Sequence, residues 1–168
     1  GPIGLGVMEF ARLAGGLVIA MDINQQRLNF CKSKAQHCLL AGPDALENIK
    51  YITSNDMPTV VIDATGSQRA INDAFQYMAH GARFILVGLQ KENITFSHPE
   101  FHKREGTLMT CRNATRQDFV NVIDSLKTKK IDATTFITHR VSFERVKDEF
   151  SGWLDPAAGV IKAMVEVY

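Results

Sequence analysis

The chain has 168 residues, 45% of them hydrophobic and 22% charged, and a formal net charge of +1. That composition fits one ordinary globular domain, long enough to bury a core without disulfide staples. The balanced charge offers nucleic acid no electrostatic footprint, and no apolar run approaches the ~20 residues of a membrane span.

Cys31, Cys38 and Cys111 are too few and too irregular for a disulfide framework, and none forms a C-x-x-C pair. Free thiols fit a reducing compartment, and no charged-then-apolar leader is visible. The expectation is a cytoplasmic protein with no membrane and no nucleic-acid partner.

The chain opens on "GPIGLGVMEFARLAGG", a glycine turn running into a helical pattern that Gly15-Gly16 stops. "LVIAMD" (17–22) reads as a strand covered on both faces and closed by an acid. Asn24 can cap a helix carrying Leu28, Cys31 and Ala35 on one face. "HCLL" (37–40) is a short strand, and Asp44 begins a further helix. "TVVIDATG" (59–66) is a second buried strand, after which Ser67 caps a helix that Gly81 ends. "ARFILVG" (82–88) is the next buried run. "ITFS" (94–97) reads as an edge strand, "HPEFHKRE" as a short helix or turn, and "TLMTC" (107–111) as a strand. Thr115 caps a helix through Leu126. "FITHRVSF" (136–143) is extended, a short helix carries Val146 and Phe150, and "VIKAMVEVY" (160–168) closes as a strand.

Strands alternating with helices imply an α/β fold with a Rossmann-type, doubly wound parallel sheet, read as one domain over 1–168. Ligands of such sheets bind beyond the carboxyl ends of the strands. The positions of interest are therefore Gly1–Gly4, Asp22, Ala64–Gly66, Val87–Leu89 and Cys111–Arg112.

In the dinucleotide fingerprint G-x-G-x-x-G the last two glycines allow close approach of pyrophosphate and close helix packing. Gly1, Pro2, Ile3 and Gly4 match that second half. Pro2 has no N–H, so Ile3 and Gly4 would supply the donors; the plainer alternative is a helix opened by proline. Asp22, about twenty residues on, stands where an acid accepts ribose hydroxyls and repels a 2′-phosphate, which favours NAD over NADP. Arg27 lies beyond it, either over the adenosine ribose or as a solvated helix arginine.

Taken together, "GPIGLG", "VIAMDINQQRL", "VVIDATGS" and "HGARFILVGL" resemble the coenzyme-binding domain of medium-chain zinc-dependent alcohol and polyol dehydrogenases. "FSHPEFHKREGTLMTCRNATRQDF" resembles the bacterial sugar-acid and polyol branch, most closely L-galactonate dehydrogenase-like proteins. The resemblance implies pyrophosphate contacts at Gly1 to Gly4, a ribose contact at Asp22 and a basic contact at Arg27. It puts Ala64, Thr65 and Gly66 beside the nicotinamide ribose, and Val87, Gly88 and Leu89 against the carboxamide. It makes Thr110, Cys111 and Arg112 a loop over the reactive end, and loosely assigns Lys162 to the phosphates.

The resemblance further implies NAD-dependent hydride transfer from a secondary alcohol of a polyol or sugar acid, in a homo-oligomer, usually a dimer. The family's first strand, first glycine and catalytic zinc domain have no counterpart in the sequence as it stands. Zinc is expected only in that other domain, with no metal site and no catalytic residue here, and the chain alone is expected to be inactive. Neither the pair His98/His102 nor the pair Cys31/Cys38 has a third ligand at metal spacing. Two alternatives stay open on the residues: a Rossmann scaffold that associates without cofactor, and an S-adenosylmethionine-binding Rossmann domain.

Overall fold

Proline at the first helical position loses nothing, because its missing N–H has no partner in the first turn anyway. In the computed structural model, which describes residues 1–167, α1 accordingly runs Pro2–Leu13. Its end is set by Gly15, at φ +83°: Gly15 N–H reaches Arg12 O and Gly16 N–H reaches Ala11 O, both at 2.9 Å. That bond pair closes the helix by the left-handed glycine route.

Strand and helix then alternate: β1 (Ile19–Asp22), α2 (Gln25–Cys31), β2 (His37–Leu40), α3 (Ala45–Ile52), β3 (Val60–Asp63), α4 (Gln68–Ala74), β4 (Arg83–Leu86), α5 (His98–Lys103) and β5 (Thr107–Thr110). The remaining elements are α6 (Arg116–Lys127), β6 (His139–Ser142), α7 (Val146–Trp153) and β7 (Ala163–Glu166). The expected caps form. Asn24 accepts from Gln26 and Arg27 N–H, and Ser67 accepts from Ala70 N–H. Thr115 makes a full capping box with Asp118. Asp44 precedes α3 without a side-chain cap bond.

The chain divides into two compact units. One spans Phe10–Asn113. Its core gathers Ile49 of α3, Ile71 and Ala74 of α4, Met78 and the fully buried Phe84 of β4. Phe75 packs edge-on against Phe84 with centroids 4.9 Å apart. The other unit joins Gly1–Glu9 to the chain from Ala114 onward. Within it β6 pairs with β7, Arg140 bridges to Glu166 at 2.9 Å, and Ile131 and Val141 are buried.

Every strand pair is parallel, as expected of crossover connections. The ladders are β1-β2, β3-β4-β5 and β6-β7. Among the described residues no strand pairs with the second edge of β1 or of β3. Val60 and Ile62 of β3 are correspondingly 38% and 36% exposed, not covered as a buried strand would be.

Three local expectations are also revised. Residues 94–97 form no ladder, because Thr95 N–H is taken by the Asn72 side chain at 2.8 Å and Phe96 stacks on Phe75. The helix after Ser67 gives way at Ala74 to a tighter turn through Tyr77, so Gly81 does not stand at its end. The closing strand is limited to Ala163–Glu166, and Tyr168 lies outside the described residues.

Candidate functional site

Asp63, Leu86 and Thr110, the last residues of β3, β4 and β5, are register partners. The parallel ladder therefore delivers the three following segments to one rim: Ala64–Gly66, Val87–Leu89 and Cys111–Arg112. Cys111 N–H still bonds Leu86 O at 3.1 Å, so the third segment leaves alongside the second. This is the carboxyl rim at which open α/β sheets take ligands.

One residue that the sequence reading passed over organises that rim. Asp63 is only 5% exposed. Its Oδ1 accepts from Thr65 Oγ1 at 2.6 Å and Thr65 N–H at 3.3 Å, and its Oδ2 accepts from Gly66 N–H at 3.2 Å. Its carbonyl oxygen accepts from Val87 and Gly88 N–H at 2.9 and 3.1 Å. Thr65 Oγ1 in turn accepts from Ser67 N–H at 3.0 Å, tying the knot to the start of α4. The signal was present: an acid followed two residues later by Thr and then Gly is an Asx-type turn.

Two glycines make the rim possible. Gly66 sits at φ +64°, and a Cβ on it would come 2.9 Å from Leu89 O. A Cβ on Gly88 would lie 2.4 Å from Gly66 N and 3.0 Å from Asp63 Oδ2. The two backbones meet at a distance that no side chain tolerates. Leu89 is 90% exposed beside them, and Thr110, Cys111 and Arg112 are exposed as well. Arg112 has no ion pair among the described residues.

Asp22 ends β1, half-buried, and its Oδ1 accepts from Asn24 N–H at 2.9 Å. Asn24 then holds Gln26 and Arg27 N–H at 2.8 and 3.2 Å. The acid thus supports the cap of α2 with one oxygen, and its Oδ2 has no hydrogen bond among the described residues. The Arg27 side chain is exposed in the first turn of that helix.

Gly1, Pro2, Ile3 and Gly4 belong to the other unit. The helical ladder of α1 starts with Leu5 N–H on Gly1 O at 3.1 Å, so Ile3 and Gly4 N–H precede it and are open donors by helix geometry. Lys162 is in the same unit, where its carbonyl receives Thr138 N–H at 3.0 Å.

For metal, His98 and His102 face one another on α5 with ring centroids 5.7 Å apart. Cys31 is buried, which pushes its thiol pKa up, and the nearby Cys38 pushes it further. No cluster of three or more His, Cys, Asp or Glu suited to a metal occurs among the described residues. A catalytic zinc takes three protein ligands and an open position, so neither pair suffices.

Residues 2–128 match the family model described as zinc-binding dehydrogenase. The chain is 35% identical over 152 residues to L-galactonate-5-dehydrogenase of Escherichia coli K12, covering 89% of this chain and 45% of that protein. It is 28% identical over 174 residues to L-arabinitol 4-dehydrogenase of Hypocrea jecorina, covering 99% and 46% respectively. A crystal structure of an alcohol dehydrogenase from Escherichia coli CFT073, complexed with NADH, superposes at TM-score 0.86 and 24% identity, covering 97% of this chain and 49% of the other. That likeness establishes the Rossmann-type fold. The chain spans about half the length of the curated relatives it matches.

Proposed function

The chain belongs to the zinc-binding dehydrogenase family, and we propose that it forms the NAD-binding domain of an enzyme that oxidises a secondary alcohol of a polyol or sugar acid. The observation that carries the reading is the glycine-built rim. Gly66 and Gly88 keep side chains away from a patch of backbone, which is what a flat, polar cofactor headgroup requires. The names of the two curated relatives, one acting on galactonate and one on arabinitol, support the substrate class.

In this reading Ile3 and Gly4 N–H, with the dipole of α1 behind them, hold the pyrophosphate. Asp22 accepts ribose hydroxyls through Oδ2, and Arg27 borders the adenosine. Ala64, Thr65 and Gly66 flank the second ribose. The backbone of Val87, Gly88 and Leu89 meets the carboxamide, and Thr110, Cys111 and Arg112 border the reactive end. The bound nicotinamide supplies the hydride acceptor. The resemblance puts the family's zinc ligands in another domain, so the proposal gives zinc no role in these residues and has the chain by itself bind cofactor without turning over alcohol.

Calorimetric titration with NADH, NADPH and S-adenosylmethionine tests the proposal. Saturable NADH binding, with NADPH at least ~10-fold weaker through repulsion at Asp22, is the expected result. Binding of S-adenosylmethionine in place of NADH would overturn it.

A homo-oligomer, a dimer in the first instance, is part of the same proposal, as the family resemblance implies, and a light-scattering mass equal to the monomer would argue against it. A cytoplasmic location remains part of the proposal, supported by the free thiols.

A further inference from the structure

We propose that Asp63 is a positioning residue whose carboxylate and main-chain carbonyl oxygens together fix, before any ligand arrives, the two backbone segments facing the nicotinamide half of the cofactor. The inference rests on the cofactor reading above and deepens it. Asp63 contacts neither segment's outer face; it acts through the shape it imposes on both.

Three oxygens of one residue do this. Oδ1 and Oδ2 hold Thr65 and Gly66, the segment after β3. The carbonyl oxygen holds Val87 and Gly88, the segment after β4. Bonds to an ionised carboxylate are roughly twice as strong as neutral ones. Here they converge on a side chain that is almost wholly buried, where an N–H left unpaired is costly. Gly88 completes the arrangement, because any side chain there would push Gly66 N–H off Oδ2. The left-handed turn at Gly66, at φ +64°, is thereby held from two sides.

The reach of this knot is local. Asp22 and Arg27, the residues assigned to the adenosine half, lie on β1 and α2, in a different ladder. A fault at Asp63 should therefore be felt by the nicotinamide half alone.

Asp63→Asn is the discriminating variant. The amide can keep an oxygen toward the two Thr65 donors, but it then turns an NH2 against Gly66 N–H. Wild type and variant are titrated with NADH and with ADP, which lacks both the nicotinamide and its ribose. The expected result is a loss of ~10-fold or more in NADH affinity, with ADP affinity changed by less than about 2-fold. Equal losses for both ligands would mean general loosening and overturn the proposal, as would unchanged NADH affinity.

Should Asp63→Asn fail to fold, Thr65→Val removes the 2.6 Å bond from an exposed position. It should weaken NADH selectively, and Thr65→Ser should restore it; failure of that rescue overturns the proposal. Wild-type protein that binds neither ligand overturns the cofactor reading itself, which separates the two failures.

Discussion

Gly88 and Gly66 approach so closely that a methyl group on Gly88 would lie 2.4 Å from the Gly66 amide nitrogen. Both partners are backbone, so neither can rotate away. Gly88→Ala should cost about 2 kcal/mol through overpacking, which for a chain of this size lowers the thermal midpoint by about 4–8 °C. NADH binding should fall with it, because the rim must open to admit the methyl. The check is a melting curve with and without NADH. A variant that melts like wild type and still gains stability from NADH would contradict the close approach.

Asp22 and Asn24 form a short relay into the start of α2, and their variants should separate two roles. Asn24→Ala removes the cap and should cost ~1 kcal/mol of stability, with NADH affinity reduced only modestly. Asp22→Ala should weaken NADH ~10-fold or more through the lost ribose bonds and narrow the gap between NADH and NADPH. Paired melting and titration of the two variants tests this. Equal effects of both on NADH would reduce Asp22 to a helix-cap support.

The caps show why parts of the fold could be read from the sequence. Asn24, Ser67 and Thr115 bond to amides two or three residues away, so composition over a few positions decides them. The division of the sheet is legible only through the resemblance, whose first strand has no counterpart in the sequence as it stands. Whether β1 joins β3 depends on which strand lies between them, and no window of sequence around either contains that. Residues 94–97 carry strand-forming types, yet the Asn72 side chain 23 positions away claims the Thr95 amide. At the site, the glycines were legible singly, but not that Gly66 and Gly88 would touch. Asp63 escaped notice because an acid at a strand end resembles many others until its five donors are seen.

The three thiols should react in order of exposure. Cys111 is exposed, Cys38 is half-buried and Cys31 is buried. Burial pushes the thiols of Cys31 and Cys38 above their ordinary value, which lowers their thiolate fraction at neutral pH. Alkylation with iodoacetamide at pH 7.5, followed by peptide mass mapping, should modify Cys111 first and Cys31 last. Saturating NADH should slow Cys111 selectively, since Cys111 leaves the sheet alongside the Val87–Leu89 segment. Uniform labelling, or no protection, would count against the placement of the reactive end. Above the unfolded thiol value, near pH 8.5, the unfolded chain ionises at Cys31 before the folded one. The stability contributed by that buried thiol is therefore present at neutral pH and lost as the solution becomes alkaline.

Acid should act on the other unit through Asp118. Its carboxylate accepts Thr115 N–H at 2.7 Å and Thr115 Oγ1 at 2.8 Å, closing the capping box of α6. Those bonds, the backbone one first, hold its pKa below the usual carboxylate value of 3.8. A depressed folded pKa means that the contribution is complete above the unfolded value, and that it is lost as pH falls through the folded one. Asp118→Asn keeps an acceptor but cannot ionise, so it should lower the urea midpoint at pH 7 and narrow its deficit below about pH 4. The full comparison is a set of urea titrations of wild type and variant between pH 7 and pH 2.5. Convergence of the two midpoints in acid is the expected outcome. A deficit of constant size across that range would show that the charge on Asp118 contributes nothing to the helix start.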